Sequence, residues 1–386
     1  MTTNNGLSRR GFLGAAAATV GYLTIKPADA FARIRVGEAL LQQGNGTDEY
    51  DSLAKLSFNE NPWGPPESVL KAMSKAFKYA NRYGYPDGDL VPALAKHHGV
   101  PTNTIMLGAG SGEILDVCCT ALLRGGKKIV GSDPSYSILY QKARGIQSET
   151  LAIPLLPDFR QNIPAMIKAT NDNKADVGLV YLCNPNNPTG RTVSKQEVKQ
   201  LLDGIPADIP VLIDEAYHHF VEDPNYATSV PYVLEGRNVI VARTFSKIAG
   251  LAGMRLGYAI APNAVLRRLQ PWATGSVSAV VLWGGVTALT DVDAMMKVKK
   301  ETLRLRENAV SDLKAYGYSA IPSETNFFMV HIKRPVQQVI PEFRKHGVLV
   351  GRPFPPMNDY MRVSVGTPDE MARFQTAFKQ IFTALG

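Results

Sequence analysis

Cysteine is nearly absent: Cys118, Cys119 and Cys183 are the three in 386 residues, and two of them are adjacent. All lie in apolar stretches, so they read as small core residues and not as a disulfide framework or a metal site, even in an oxidising compartment. Charge is also thin, at 20% of residues. The net charge of +8 comes from scattered Lys and Arg, with no basic stripe and no interleaved aromatics, which argues against a nucleic-acid partner. No repeat and no low-complexity tract is present, which excludes solenoids and biased linkers. Nor does the start of the chain hold a membrane anchor: its apolar run, residues 15–25, is about eleven residues where about twenty are needed.

That short run has a setting of its own. Ser8-Arg9-Arg10-Gly11-Phe12-Leu13-Gly14 precedes it and Ala28-Asp29-Ala30 follows it. A twin arginine, a short apolar stretch and an A-x-A site resemble a twin-arginine export signal over residues 1–30, cleaved to leave Phe31 first. The expected location is periplasmic or otherwise exported, with the twin-arginine machinery as a partner. That machinery carries folded proteins, so a cofactor could be loaded before export.

Hydrophobic residues make up 45% of the chain, enough to bury large cores, and its length favours two domains. Residues 31–56 are polar and weakly patterned and read as an arm. Strand and helix signals alternate from about residue 104. A long amphipathic helix from Asp291, with Val292, Met296, Leu303, Val310 and Leu313 on its apolar side, suits a bridge between a large and a small domain.

The densest chemistry sits in RTFSKIAGLAGMRLGY, residues 243–258. The hydroxyl residues Thr244 and Ser246 precede Lys247; Gly250, Gly253 and Gly257 follow, and Arg255 lies eight positions beyond the lysine. An unprotonated primary amine forms a Schiff base with an aldehyde, while hydroxyls and a guanidinium suit a phosphate. Pyridoxal phosphate carries both groups on one ring. The apolar stretch NVIVA, residues 238–242, sets Lys247 beyond a buried strand, where open α/β sheets bind ligands.

Other strand ends carry matching signals. GAGSGE, residues 108–113, separates a strand from a helix, so free N–H groups and the helix dipole can face an anion. Tyr136 follows the strand at 128–132, either presenting its ring to a ligand or covering the core. The heptad NPNNPTG, residues 184–190, contains two prolines that bar helix and sheet, fixing its asparagine amides toward a partner. Val211-Leu212-Ile213 runs into Asp214, a carboxylate that needs a cation or loop N–H groups at such a place; a protonated pyridine nitrogen is one such cation. RYGYPDGDL, residues 82–90, is turn chemistry that presents Tyr83 and Tyr85. Arg362 lies in MRVSV, where strand alternation favours a surface-facing arginine over a carboxylate clamp.

In this order NENPWGP, YPDG, GAGSGEIL, PSYSILY, NPNNPTG, DEAYHHF, RTFSKIAGLAGMRLGY, SETNFF and MRVSVGTPDE resemble the class I and II aminotransferases, and among them the histidinol-phosphate aminotransferase branch. The resemblance runs from about Leu56 to the C-terminus. It implies an α/β fold with a mostly parallel central sheet flanked by helices over residues 57–290, of which 57–80 packs partly with a smaller α+β domain at 291–386. It implies pyridoxal 5'-phosphate as cofactor, a homodimer, and an amino group moved between an amino acid and a 2-oxo acid.

The roles it implies fall residue by residue. Lys247 would bind the cofactor aldehyde and move the substrate α-proton. Asp214 would pair with the ring nitrogen, Asn187 and Tyr217 would hold the phenolate oxygen, and Tyr136 would stack on the ring. Ser111, Gly112, Thr244, Ser246 and Arg255 would hold the phosphate, with Tyr85 reaching the neighbouring subunit's site. Arg362 would grip the substrate α-carboxylate, with Asn59 and Arg352 also on the substrate side.

Three departures turn the expectation away from histidinol phosphate and toward a free amino acid. Gly112 stands where the branch commonly has an acidic residue. Val350-Gly351-Arg352, followed by Pro353-Phe354-Pro355-Pro356, replaces a V-R that meets the substrate phosphate. An exported enzyme also lies apart from histidine biosynthesis. The same lysine, aspartate and phosphate cup would serve decarboxylation, racemisation or oxidase-type chemistry equally well.

Overall fold

The computed structural model describes residues 49–383, so the expected export signal and nearly all of the expected arm lie outside the described residues. Residues Glu49–Ser52 form one short helical turn. From Ala54 onward the chain builds three sheets. Its strands are β1 (Ala54–Leu56), β2 (Ile105–Gly108), β3 (Lys128–Asp133), β4 (Thr150–Pro154), β5 (Val177–Cys183), β6 (Val211–Asp214), β7 (Val239–Thr244), β8 (Gly257–Ile260), β9 (Ala320–Ile321), β10 (Phe327–His331), β11 (Val348–Val350) and β12 (Tyr360–Ser364).

The main sheet has the order β2-β8-β7-β6-β5-β3-β4. The pairs β7-β6, β6-β5, β5-β3 and β3-β4 are parallel, while β8 runs antiparallel to both neighbours. Its central strands are continuous apolar runs, as expected where helices cover both faces. Side chains two apart share a face. Thus Leu179, Tyr181 and Cys183 of β5 join Leu212, Ile240 and Ala242 under the helix Ser111–Leu122. Val180 and Leu182 join Ile213 and Val241 on the opposite face. There the helices Glu67–Ala76 and Ala279–Thr290 pack so closely that a Cβ on Gly284 would lie 2.7 Å from Met73 Cγ.

The small lobe follows the helix Val292–Ala315. Its antiparallel sheet β12-β10-β9 and the parallel pair β1-β11 share a core with the helices Val336–Lys345 and Pro368–Thr383, filled by Phe328, Phe343, Phe374 and Phe378. The architecture is the expected α/β one, a large mostly parallel sheet with helices on both faces plus a smaller α+β lobe. One expectation is corrected. Residues 54–56, assigned to the arm, are strand β1 and register Ala54 with Val348. Three residues are too short a run for alternation to be read in a sequence.

Antiparallel β8 decides where the site lies. Gly108 of β2 and Thr244 of β7 both register with Gly257, the first residue of β8. The carboxyl ends of β2, β3, β5, β6 and β7 and the turn before β8 therefore meet at one edge. Among the described residues, no single helix is long and apolar enough to cross a membrane.

Candidate active site

One end of that edge is an anion cup. The first N–H groups of a helix have no intrahelical partner. In the loop before Ser111–Leu122, Ala109 N–H is taken by Glu113 Oε2 at 2.6 Å and Gly110 N–H by Gly108 O at 2.8 Å. The Ser111 and Gly112 amides follow in the first turn of that helix, at the positive end of its dipole, where N–H groups lack an intrahelical acceptor. Arg255 sits beside them with φ +58°, donating from Nη1 to Ala252 O at 2.8 Å and from Nη2 to Ala109 O at 3.2 Å. The approach requires two glycines: a Cβ on Gly110 would lie 2.3 Å from Arg255 Nη2, and one on Gly257 would lie 2.4 Å from Ser111 N. Thr244 donates to Ser246 Oγ at 2.8 Å, which leaves the Ser246 hydroxyl proton free for an anion.

Along the edge stand Lys247 and Asp214. Lys247 Nζ donates to the carbonyls of Asn59 at 3.0 Å and Phe58 at 3.3 Å and lies 5.5 Å from the centre of the Tyr217 ring. Burial, reinforced by Arg362, pulls its pKa down to about 8, against the opposing pull of Glu60 and Asp214. Asp214 is 2% exposed. Its Oδ1 accepts Ala216 N–H at 3.2 Å and its Oδ2 accepts the Tyr181 hydroxyl at 3.3 Å, both long contacts. Burial pushes its pKa up to about 6, with those two donors and Lys247 working the other way. Such a carboxylate is short of a cation.

Toward the small lobe runs a polar chain. Arg362 Nη1 donates to Asn187 Oδ1 at 2.7 Å and Nη2 to Ser57 O at 2.6 Å. Asn187 Nδ2 approaches the Tyr217 hydroxyl at 3.5 Å, and Asn59 Nδ2 donates to the same oxygen at 3.0 Å. Asn59, with φ +56°, is held by its N–H on Ser364 Oγ at 2.8 Å, and Asn326 Nδ2 donates to its carbonyl at 3.0 Å. Arg362 is 6% exposed, its Nε has no partner among the described residues, and burial lowers its pKa to about 10 against the pull of Tyr217. An amine, a carboxylate and an anion cup thus share one sheet edge, and an under-paired guanidinium reaches it from β12 of the small lobe. That set can hold a phosphorylated, ring-nitrogen-bearing aldehyde and a carboxylate beside it.

The family model for class I and II aminotransferases matches residues 51–378. This chain belongs to the class I and II aminotransferases. It is 35% identical over 344 residues to histidinol-phosphate aminotransferase 2 of Carboxydothermus hydrogenoformans, covering 86% of this chain and 92% of the relative. It is 33% identical over 336 residues to the histidinol-phosphate aminotransferase of Symbiobacterium thermophilum. Among solved structures, a putative histidinol-phosphate aminotransferase from Erwinia carotovora atroseptica superposes with a TM-score of 0.81 at 29% identity, covering 86% of this chain and 97% of that one. The Sinorhizobium meliloti enzyme, solved with pyridoxal-5'-phosphate, superposes with a TM-score of 0.81 at 25% identity, covering 90% and 97%.

Within this aminotransferase the sequence motifs resolve into different duties. Of the three asparagines in NPNNPTG, Asn187 faces the site and the other two hold the turn. Asn184 brackets Val193 with both side-chain atoms at 2.9 Å, and Asn186 bonds Pro134 O, Thr189 and Ser135. The strand-alternation expectation for Arg362 is corrected. In β12, Met361 and Val363 face the small-lobe core and Arg362 faces the other way, but that side is the cleft and not solvent.

Arg352, displaced by one residue from the branch pattern, still comes to the mouth. It donates from Nη2 to Ser137 Oγ at 3.1 Å, next to the half-buried Tyr136, and lies 4.2 Å from the Phe354 ring. Arg362 packs on the same ring at 4.7 Å. Tyr85 is half-buried and donates to Val277 O within its own chain. Sequence reasoning gave no role to Asn326, Ser364 or Tyr181. SETNFF contained Asn326 as a motif, but a side chain that holds another residue's backbone leaves no chemical signature of its own.

Proposed function

We propose that this aminotransferase binds pyridoxal 5'-phosphate at the edge formed by Lys247, Asp214 and Arg255, works as an exported homodimer, and moves the amino group of a free amino acid to a 2-oxo acid. One observation carries the reading: Lys247, Asp214 and Arg362, each ionisable, substantially buried and short of an opposite charge, converge on one edge. The residues fit the cofactor. Ser111 and Gly112 amides, the Ser246 hydroxyl and Arg255 suit a phosphate, and the orphaned carboxylate of Asp214 suits a ring N–H.

When bound, pyridoxal phosphate supplies an aldehyde carbon for amine exchange and a ring that accepts electrons. The protein does the rest. Lys247 Nζ, with its pKa lowered by burial to about 8, is partly unprotonated near neutral pH; it would hold the cofactor by its aldehyde and serve as the group that takes and returns the substrate α-proton. Asp214, held anionic by a cation, keeps a proton on the ring nitrogen. Asn187 and Tyr217 hold the phenolate oxygen. Arg362, with Nε unpartnered, grips the α-carboxylate and aligns the α-carbon bond that breaks. Arg352 at the mouth meets the far end of the substrate, and Tyr85 reaches the neighbouring subunit's phosphate.

The test is an absorbance screen of the purified, cofactor-loaded protein against single amino acids and histidinol phosphate. Bleaching of the cofactor band by one amino acid and its restoration by a 2-oxo acid is the expected result. Bleaching by histidinol phosphate alone would overturn the substrate reading, and release of carbon dioxide without amino transfer would overturn the reaction. Export is tested separately by cell fractionation. Replacing Arg9 and Arg10 by Lys is expected to trap the protein in the cytoplasm, and an unchanged distribution would overturn that part.

A further inference from the structure

Tyr181 lies at the cofactor end of the site, yet no step above uses it. Its place follows from register. β5 and β6 are parallel, with Tyr181 opposite Leu212 and Cys183 opposite Asp214. Tyr181, Cys183 and Asp214 therefore emerge on one face of the sheet, and the Tyr181 phenol reaches forward along it to Asp214 Oδ2 at 3.3 Å.

The ring itself is fixed. Tyr181 is fully buried and meets Tyr140 edge-on, with centroids 5.9 Å apart and planes at 83°. Tyr140 donates in turn to Ser132 O at 2.8 Å. That seat exists because residue 131 is glycine, where a Cβ would lie 2.2 Å from the Tyr140 oxygen. Phenylalanine would fill the same volume at 181 and keep the same ring contact. The hydroxyl is therefore not needed for packing, and a buried hydroxyl is unfavourable without a partner. It lies against Asp214, a buried carboxylate with no cation in salt-bridge distance among the described residues, and it also meets the Cys183 side chain.

We propose that Tyr181 is a positioning residue for the cofactor's ring nitrogen. Its O–H fixes the orientation of the Asp214 carboxylate and stabilises its anionic form, so that an aimed, charged acceptor meets the ring N–H. Donation to a carboxylate favours the charged state, while burial opposes it. The inference rests on the reading of this edge as the pyridoxal phosphate site. Several other groups face Asp214. Lys247, from the segment after β7, favours the anion, and Glu215, at the end of its own strand, opposes it. Cys183 on β5 and Tyr136 after β3 stay neutral near neutral pH, both held protonated by burial. A Tyr181→Phe variant keeps each of these groups in place; it also removes the hydroxyl's contact with Cys183, and losing that donor holds the thiol protonated more firmly still.

The experiment titrates the cofactor-free parent and Tyr181→Phe with pyridoxal phosphate, followed by absorbance, from about pH 6 to about pH 8.5. The loss of one hydrogen bond to a charged group is expected to weaken binding about tenfold near pH 6. The difference should narrow as the pH rises and Asp214 ionises in both proteins. A 1-deaza analogue of pyridoxal phosphate, which has no ring nitrogen, should bind both proteins alike. Equal dissociation constants for pyridoxal phosphate at every pH would overturn the inference, as would an equal loss of affinity for the cofactor and the deaza analogue, the signature of a merely structural role. A parent that binds no pyridoxal phosphate would instead overturn the functional reading on which the inference stands.

Discussion

Asp214 and Glu215 are adjacent in sequence and equally buried at the end of β6, at 2% and 1% exposure, yet they meet opposite fates. Glu215 receives Arg243 Nη2 at 2.7 Å and Nε at 3.2 Å, Thr228 Oγ1 at 2.9 Å and the Ser229 N–H at 2.6 Å. Its charge is matched and its lone pairs are filled. Asp214 has two long contacts and no cation within salt-bridge distance among the described residues. Successive residues of a strand point to opposite faces, so one carboxylate meets the arginine of β7 while the other meets the cleft. A buried charge that is fully paired belongs to the fold, and one left short of partners belongs to chemistry.

The comparison can be broken or sharpened in order of expected effect. Lys247→Ala removes both the aldehyde-capturing amine and the proton carrier, and turnover is expected to fall about 10⁴-fold or more. A single-turnover assay that finds a drop below about tenfold would remove Lys247 from the under-paired, chemical set. Next comes the carboxylate pair. Glu215→Gln strands a buried Arg243 and should cost about 3–5 kcal/mol of stability in urea unfolding. Asp214→Asn should leave the cofactor-free fold at least as stable while lowering turnover about 10²-fold, which corresponds to about 3 kcal/mol. Equal destabilisation by the two variants would erase the distinction.

The third test is pH. An acid whose pKa is higher folded than unfolded holds its proton more firmly in the native state. With Asp214 moved from 3.8 to about 6, this group withdraws stability from the cofactor-free protein as the pH rises from about 4 to about 6, read as the difference between the parent and Asp214→Asn, which has no carboxylate to titrate there. The contribution of this one group is about 3 kcal/mol. Loaded protein should show less of that loss, because a ring N–H supplies the missing cation, and identical pH profiles with and without cofactor would contradict the assignment. Arg362→Lys gives up the planar fork and should lower kcat/KM about tenfold to a hundredfold, mainly through KM. The smallest effect belongs to Arg352→Gln. Arg352 is exposed, and kcat/KM for an amino acid with an uncharged side chain should change less than about threefold.

Much of the site was legible because several of its residues close or follow a strand. Lys247, Asp214 and Asn187 follow the apolar runs of β7, β6 and β5, and in a parallel sheet those ends share an edge. The cysteines were equally plain, and Cys118, Cys119 and Cys183 are all buried and free. What stayed hidden has physical causes. Strand β4, at the sheet's edge, is at most half-buried and ends in Pro154, so it shows neither a central strand's apolar run nor an inner face. Turn chemistry alone did not tell the asparagines of NPNNPTG apart, because prolines restrict the backbone of the whole turn without saying which amide it turns inward; the resemblance singled out Asn187. For Arg362 strand alternation alone pointed to the surface and only the resemblance pointed to the site, because alternation separates two faces without saying whether the second meets water or a cleft.

The sequence by itself determined the family, the alternation of strand and helix, the place of Lys247 beyond a buried strand and the carboxylate that has to be satisfied. These are local facts, set by residue type, apolar period and turn chemistry. Only the tertiary structure decided that Arg243 answers Glu215 and not Asp214, that Arg362 faces Asn187, and that Tyr181 stands under the carboxylate across one strand of register. Pairing between charges depends on distance and burial, and both are set by strands brought together from residues far apart in the chain.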